Sequence, residues 1–184
     1  KFKEEDAWDC LKKISYLNSR MQAVLEYSAM AQFNTKEEFM EGNLFDFIEE
    51  YAMNILNRSD RLKVQVVRSD TEGIEMKFVP QNIAIILDNV VSNSTKYNAN
   101  ELRVLLGKDE KQYTIDFIDD GDGVSSDIAD LNELFEFGKG YTLTGTGVGL
   151  YHIKDIVEKD LQGTVTIESE PQKGFALHVR FGKV

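Results

Sequence analysis

The chain has 184 residues, of which 21 are Lys or Arg and 32 are Asp or Glu, so its formal net charge is −11. That charge repels phosphate backbones and acidic membrane surfaces, which argues against bulk binding of nucleic acid. The single cysteine, Cys10, allows no internal disulfide, and no apolar run approaches the roughly 20 residues of a membrane span. We therefore expect a globular protein of a reducing, cytoplasmic compartment, with one ordinary domain and an appendage.

The N-terminal segment begins KFKEED, with neither an initiator Met nor a signal-peptide pattern, which indicates a fragment of a longer protein. Apolar or small residues then recur at helical spacing from Ala7 to Ala31. This spacing predicts a long helical arm over residues 1–34, packed either in a helix bundle or on the core of its own domain. A polar and charged stretch at 35–42 predicts a linker before a domain over 43–184.

The remaining chain alternates helical and strand patterns, separated by polar or glycine-rich turns. The predicted elements are a helix over Leu44–Ile55, strands at Leu62–Val67 and Ile74–Phe78 joined by a polar turn at Ser69–Gly73, a helix from Pro80 to about Tyr97, strands at Leu102–Leu106 and Tyr113–Ile118, a helix from near Val148, and strands at Thr164–Glu168 and Phe175–Phe181. Because most strands look like hairpin partners, we predict an α+β sandwich, a mixed sheet covered on one face by helices.

The helix predicted after Pro80 carries two amides and one ammonium on one side. Asn89, Asn93 and Lys96 are separated by four and then three residues, which places them on a single face. Amide oxygens are hard ligands for Mg²⁺, and a lysine supplies a compact charge for a phosphate oxygen. This face is therefore either an ordinary solvated helix surface or a site for a magnesium-bound polyphosphate.

The stretch FIDDGDGV, Phe117–Val124, runs from a predicted strand into acidic residues and glycines. Asp119 stands at the strand end, where its carboxylate could accept a hydrogen bond from an exocyclic amine. Gly121 and Gly123 would let the chain turn beneath a flat ring. A calcium loop is excluded because, counted from Asp120 or Asp122, the alternating ligands run out. The remaining alternatives are a purine-binding turn and a plain turn.

The stretch GTGVGL, Gly145–Leu150, is neither a Walker A loop nor a Gly-x-Gly-x-x-Gly motif, since Leu150 holds the last place. Its glycines would still let backbone amides approach an anion. The helix that follows would direct its positive end to the same spot. We interpret the stretch as a phosphate-binding loop, with tight helix packing as the alternative.

Taken in order, NVVSNSTKY, DDGDG, LFEFGKG and GTGVGL resemble the Asn-rich box, the first glycine box, the Phe box and the second glycine box of the histidine-kinase catalytic domain. That domain belongs to the GHKL, or Bergerat-fold, ATPase superfamily, shared with gyrase, mismatch-repair MutL proteins and heat-shock chaperone ATPases. The resemblance spans about residues 43–184. It implies a two-layer α/β sandwich with a mixed, mostly antiparallel sheet, and it implies ATP and Mg²⁺ as cofactors.

The resemblance also implies a role for each matched residue. Asn93 would coordinate Mg²⁺ bridging the ATP phosphates, with Asn89 supporting it and Lys96 on a phosphate; these three are the expected catalytic residues. The full set expected to bind the nucleotide is Asn89, Asn93, Lys96, Tyr97, Asp119, Gly121, Gly123, Lys139, Gly145, Thr146, Gly147, Val148, Gly149 and Leu150.

Within that set, the resemblance assigns Asp119 to the adenine amine and Tyr97 to the neighbourhood of the adenosine. Residues from about 125 to 144 would form an ATP lid anchored by Phe135 and Phe137, with Lys139 reaching the γ-phosphate. Gly174 matches a late glycine before the final strand. One departure is LQG at 161–163, which replaces a His-Gly pair commonly found there and touches packing more than chemistry.

Kinase and hydrolase members of the superfamily differ at the position four residues before the magnesium Asn. The gyrase and chaperone relatives have a Glu there as general base for water, whereas this chain has Asn89, whose amide cannot take a proton at neutral pH. Asp88 lies about 100° round the helix from Asn89 and is not expected to substitute. A histidine kinase needs no such base, because its nucleophile is an imidazole lone pair.

The phosphoacceptor is not apparent in this chain. His152 and His178 lack the following acidic residue and helical pattern of phosphoacceptor histidines, so we expect both to be structural. The acceptor would lie on a helix outside the chain, and the arm would be the second helix of a dimerisation and phosphotransfer hairpin. The partners would be a response regulator and a second copy in a homodimer. The parent protein could be membrane-anchored. The alternatives are an ATP-hydrolysing switch of the gyrase or chaperone type and a non-catalytic nucleotide-binding module.

Overall fold

The computed structural model describes residues 39–54, 56, 61–69, 73–108, 110–139 and 147–182. These residues divide into two compact units: the larger comprises the described parts of 38–132 and 152–184, and the smaller the described part of 133–151. The helical arm predicted over residues 1–34 lies outside the described residues.

The helices and strands follow the predicted order, and most observed bounds lie within one or two residues of the predicted ones. They are β1 (Met40–Asn43), α1 (Leu44–Asn54), β2 (Lys63–Arg68), β3 (Glu75–Phe78), α2 (Pro80–Lys96), β4 (Glu101–Lys108), β5 (Gln112–Asp119), a 3₁₀ helix (Leu131–Phe135), α3 (Gly149–Lys159), β6 (Thr164–Ser169) and β7 (Phe175–Gly182). Strand β1 occupies residues 40–42 of the stretch predicted as a linker.

The starts of the first two helices have local causes. Asn43 caps α1, because its side-chain oxygen accepts the backbone N–H groups of Phe45 at 3.0 Å and Asp46 at 3.2 Å. Helix α2 begins with Pro80, which lacks the N–H that a first helical residue leaves unpaired. It ends at Lys96 and is followed by the C-cap residue Tyr97, whose N–H donates to the Asn93 carbonyl at 2.9 Å.

The main sheet has the strand order β2-β4-β5-β7-β6, in which β2 and β4 are parallel and the other neighbours antiparallel. Strand β3 pairs instead with β1 in a separate two-stranded sheet. The strands at 62–67 and 74–78, which the predicted polar turn joins in sequence, therefore do not pair with each other. A parallel pair needs a crossover, and the segment containing β3 and α2 supplies it between β2 and β4.

One face of the main sheet forms the core of the larger unit. The buried residues on this face alternate along the central strands, and the helices contribute their own buried stripes; they include Leu102, Val104, Leu106, Ile115, Phe117, Leu177, Val179, Phe181, Ile83, Leu87, Ile153 and Val157. The intervening strand residues are only half-buried or exposed. This alternation confirms the predicted mixed sheet with helices on one face. No helix in the described ranges has the length and hydropathy needed to cross a bilayer.

Candidate functional site

The carboxylate of Asp119 lies at the end of β5 and is buried, with 8% of the residue exposed. Its Oδ1 accepts the backbone N–H of Gly121 at 3.0 Å and that of Phe175 at 3.1 Å, and its Oδ2 accepts the hydroxyl of Ser94 at 2.7 Å. A carboxylate offers about four lone-pair positions, so these three donors leave about one, on Oδ2. Asp119 can therefore accept one further donor in a fixed direction.

The two neighbouring aspartates have different partners. Asp120 accepts the backbone N–H groups of Asn100 at 2.7 Å and Glu101 at 2.8 Å. The Glu101 N–H, more than that of Asn100, lowers the pKa of the Asp120 carboxyl. Asp122 accepts the side-chain amide of Asn98 at 2.6 Å. Both carboxylates hold the loop after β5 to the segment between α2 and β4, which leaves Asp119 as the buried acid of the three.

Close backbone packing explains why glycines surround Asp119. Gly174 has a φ of +86°, and a Cβ there would lie 2.1 Å from the Asp119 carbonyl oxygen. A Cβ at Gly121 would lie 2.6 Å from the Tyr97 carbonyl oxygen. No side chain fits at either position without moving the backbone, so these glycines let β5, β7 and the end of α2 meet around the carboxylate.

The predicted polar face of α2 is present, and its residues are half-buried. The Asn89 amide donates to the Ile85 carbonyl of its own helix at 2.8 Å, which leaves its side-chain oxygen as an acceptor. The Lys96 ammonium lies 5.4 Å from the centre of the Tyr97 ring, and burial lowers its pKa. Asn89, Asn93, Lys96, Tyr97 and Asp119 thus all belong to the larger unit.

Asp88 is engaged away from these amides. The Tyr51 hydroxyl of α1 lies 3.0 Å from each Asp88 carboxylate oxygen. Burial and then this hydrogen bond raise the pKa of Tyr51 to about 12. Asp88 therefore links α2 to α1, as expected for a residue on another side of the helix from Asn89.

The smaller unit contains the predicted lid anchors. Phe137 packs edge-to-face on Tyr151 with 5.3 Å between ring centres, and Phe135 is buried. The Lys139 ammonium pairs with Glu136 at 2.9 Å and Glu133 at 3.0 Å. The Glu136 and Glu133 carboxylates raise the pKa of Lys139. In this structure the lysine predicted to reach a phosphate is occupied by two acids of its own unit.

The glycine-rich stretch is described in part. Gly145 and Thr146 lie outside the described residues. The Gly147 carbonyl accepts the Gly138 N–H at 3.0 Å, which joins these two residues directly. Val148 is buried, and α3 begins at Gly149, one residue after the predicted start. Leu150 lies in its first turn.

The two histidines occupy different environments. The Nδ1 of His178 lies 2.8 Å from the Asp116 carboxylate, which also accepts the Arg180 guanidinium at 2.5 Å. In His152 the Nδ1 is buried and has no hydrogen-bond partner among the described residues, and burial lowers its pKa. A structural role for both stays a prediction.

Ser94 was not among the predicted site residues. It is 1% exposed and lies on the buried stripe of α2, where Ile83, Leu87 and Val90 precede it at steps of four, three and then four residues. Extending that apolar spacing by one step would have identified a serine where the pattern calls for a hydrophobic side chain. A polar residue that breaks a buried stripe is a signal for a specific partner, which here is Asp119.

The donor set is consistent with a magnesium ion only if a ligand completes it. No group of three His, Cys, Asp or Glu side chains in the described ranges could hold a metal by itself. Asn93 offers one hard amide oxygen on the half-buried face of α2. Because Mg²⁺ commonly takes one or two protein groups together with phosphates and water, this set is compatible with an ion delivered with a nucleotide.

The chain is similar to the sensor protein kinase PilS of Pseudomonas aeruginosa, with 27% identity over 172 residues that cover 90% of this chain and 31% of that protein. The chain thus spans about a third of the length of this relative. Its fold is similar to that of the histidine kinase AdeS of Acinetobacter baumannii (TM-score 0.62, 14% identity, 99% of this chain and 86% of the other).

A second similar structure is the nucleotide-free catalytic domain of the histidine kinase ThkA, with a TM-score of 0.64 and 19% identity over 79% of this chain and 96% of the other. The predicted resemblance to a histidine-kinase catalytic domain is confirmed by these likenesses. Residues 78–183, more than half of the chain, match the family described as histidine kinase-, DNA gyrase B- and HSP90-like ATPases. The chain belongs to this family of ATPase domains.

Proposed function

We propose that this chain is the ATP-binding catalytic core of a sensor histidine kinase, which transfers the γ-phosphoryl group of Mg-ATP to a histidine outside the chain. The observation that carries the proposal is the geometry of Asp119. Three donors from α2, the loop after β5 and the start of β7 hold its carboxylate, with one acceptor position left on Oδ2. The exocyclic amine of adenine is a donor that suits this position.

The phosphate end of the proposed site is the half-buried face of α2. Asn93 would supply an amide oxygen to the metal, and Asn89 would support it through the side-chain oxygen that its bond to Ile85 leaves open. When bound, Mg²⁺ would supply positive charge that neutralises the phosphates. The Lys96 ammonium would contact a phosphate oxygen. The negative charge of that oxygen would offset the cost of burying the ammonium, which lowers the pKa of Lys96.

The residues around Asn89 favour phosphoryl transfer over hydrolysis. Activation of a water requires a base, and the Asn89 amide cannot accept a proton at neutral pH. The adjacent carboxylate, Asp88, is bonded to Tyr51 of α1. An imidazole nucleophile carries its own lone pair, so a histidine acceptor needs alignment and charge neutralisation from this domain rather than a base.

The proposed partners lie outside the described chain. The acceptor histidine would be on a helix of the parent protein, with residues 1–34 as the second helix of that hairpin, residues 35–42 as the linker and residues 43–184 as the catalytic domain. The phosphoryl group would pass on to an aspartate of a response regulator, and the parent protein would be a homodimer. The likeness to a sensor protein kinase supports a role in signalling.

Calorimetric titration with Mg-ADP tests the purine end of the proposed site, which is the Asp119 carboxylate with its three donors. We expect Asp119→Ala to weaken ADP binding by about 10- to 100-fold, because a hydrogen bond to a charged acceptor contributes about 1.5–3 kcal/mol. Asp122→Ala is the matched control, since that carboxylate holds Asn98 rather than the site. Equal affinities in the two variants would refute the assignment of the adenine to Asp119.

Phosphoryl transfer is tested in the full-length parent protein with γ-labelled ATP. A kinase forms a phosphohistidine, which survives alkali and is lost in acid. Steady hydrolysis without a phosphoprotein would instead indicate an ATPase of the gyrase or chaperone type. Tight nucleotide binding with neither product would indicate a non-catalytic binding module.

A further inference from the structure

Among the described residues, the buried polar or charged side chains are those of Ser94 and Asp119. Ser94 follows Asn93 directly on α2, but its side chain lies on the buried stripe rather than on the amide face. Burying a hydroxyl costs free energy unless it forms a hydrogen bond. The hydroxyl of Ser94 has such a bond, to Oδ2 of Asp119 at 2.7 Å.

The bond is made to the oxygen that keeps the open acceptor position. Oδ1 of Asp119 is bonded to two backbone N–H groups, of Gly121 and Phe175. Because a carboxylate is rigid and planar, rotation about its Cβ–Cγ bond moves both oxygens together, and a hydrogen bond to either oxygen opposes it. Ser94 adds such a bond from α2 at Oδ2 itself, and it occupies one of the two lone-pair positions of that oxygen, which leaves the other position for a ligand.

We propose that Ser94 is a positioning residue for nucleotide recognition: its hydroxyl orients Asp119 so that the remaining position on Oδ2 selects a purine that carries a 6-amino group. This inference rests on the proposed function, in which Asp119 binds adenine. It adds a residue that none of the predicted roles included. It also joins the two ends of the site, because consecutive residues of α2 serve the phosphate end and the purine end.

A specificity ratio separates this role from a merely structural one. The probes are ADP and purine riboside 5′-diphosphate, which lacks the 6-amino group, each titrated with Mg²⁺ into the 184-residue chain. We expect the wild-type chain to prefer ADP by about tenfold or more, the equivalent of one hydrogen bond to a charged group. A defect in folding or packing would weaken the binding of both nucleotides and leave the ratio of their affinities unchanged.

In Ser94→Ala we expect the affinity for ADP to fall about tenfold, while that for the analogue changes by less than about twofold. Ser94→Cys is nearly isosteric and a weak donor, so it should lose preference in the same way even if the alanine variant folds poorly. Ser94→Thr keeps the hydroxyl and should keep the preference for ADP. Ile86→Val, a buried change on the same helix, should lower stability without altering the ratio.

The failures of the two proposals are distinguishable. A wild-type chain that binds both diphosphates equally would refute adenine recognition by Asp119, and with it this inference. A wild-type preference that persists in Ser94→Ala and Ser94→Cys would overturn the role of Ser94 alone. A threonine variant as unselective as the alanine variant would count against the hydroxyl as the cause.

Discussion

The side chains at the purine end and at the phosphate end of the proposed site are held in different ways. Asp119 is fixed by partners 25 and 56 residues away in sequence, on α2 and β7. On the half-buried polar face of α2, Asn89 bonds to a carbonyl four residues earlier in the same helix, and Lys96 contacts the adjacent Tyr97.

This difference shows which end depends on the tertiary structure. The purine end exists only when β5, β7 and α2 are assembled, so it is preorganised before a nucleotide arrives. The contacts of the phosphate end are local to one helix, and its side chains can reorient when phosphate and metal bind. Damage to the fold should therefore abolish base recognition, whereas changes on the amide face should alter metal and phosphate binding in a stable protein.

The largest effect is expected from crowding the purine end. Gly174→Ala introduces a Cβ at a positive φ and against the Asp119 carbonyl, and we expect it to cost about 2–4 kcal/mol of unfolding free energy. It should also abolish ADP binding. Gly182→Ala, at the far end of the strand that follows Gly174, is the control, because a Cβ there meets nothing within 4 Å. Urea denaturation that found the two variants equally stable would contradict the packing described here.

A change at the phosphate end should alter magnesium binding without lowering the stability of the domain. Asn93→Ala replaces a weak helix former by a strong one and should not destabilise the domain; it should raise the unfolding free energy by up to about 0.7 kcal/mol. Its affinity for ADP should become independent of Mg²⁺. Thr95→Ala, an exposed position on the same helix, should keep the magnesium dependence. A magnesium dependence that persists in Asn93→Ala would exclude this residue as the metal ligand.

A smaller, pH-dependent effect on stability is expected at Asp120, in the loop after β5. The backbone N–H of Glu101 lowers the pKa of Asp120 below its ordinary value of 3.8. The folded state therefore gains stability from the ionised carboxylate above pH 3.8, and loses it as the pH falls through the lowered pKa. Asp120→Asn should be less stable at neutral pH and should show a smaller further loss in acid, measured as urea midpoints between pH 7 and pH 3. Parallel acid profiles for wild type and variant would contradict this.

The smallest effect on nucleotide binding is expected from the contact between α1 and α2. Tyr51→Phe removes the hydrogen bond to Asp88 and should cost up to about 1 kcal/mol, with the magnesium dependence unchanged. Because the pKa of Tyr51 is raised from 10.0 to about 12, its contribution is present below pH 10 and is lost as the pH rises towards 12. Ultraviolet titration of tyrosinate should show one high-pKa tyrosine fewer in the variant.

Local sequence patterns predicted the helices and strands well but did not predict which strands pair. Alternation and helical spacing identified α2 and every strand of the main sheet, because each pattern reflects the burial of that element itself. Strand β1 was missed since MEGN is short and mostly polar. The partner of β2 could not be predicted, because a polar stretch after a strand looks the same whether the chain turns back or crosses to another sheet.

The candidate site shows the same limit. Asp119 was singled out from its place at a strand end, and the structure supplies what the sequence could not, the three donors that orient it. Two of these are backbone N–H groups, which leave no trace in residue identity. The third, Ser94, was visible as a break in the apolar stripe, but its partner lies 25 residues away and is defined only by the fold.

The central claim, that Asp119 receives the amine of adenine, is tested most directly by a crystal structure of this chain with Mg-ADP. We predict the 6-amino nitrogen about 2.8–3.1 Å from Oδ2 of Asp119, with the Ser94 hydroxyl still bonded to the same oxygen. A nucleotide bound with its base elsewhere, and with Asp119 bonded to protein groups alone, would contradict the account.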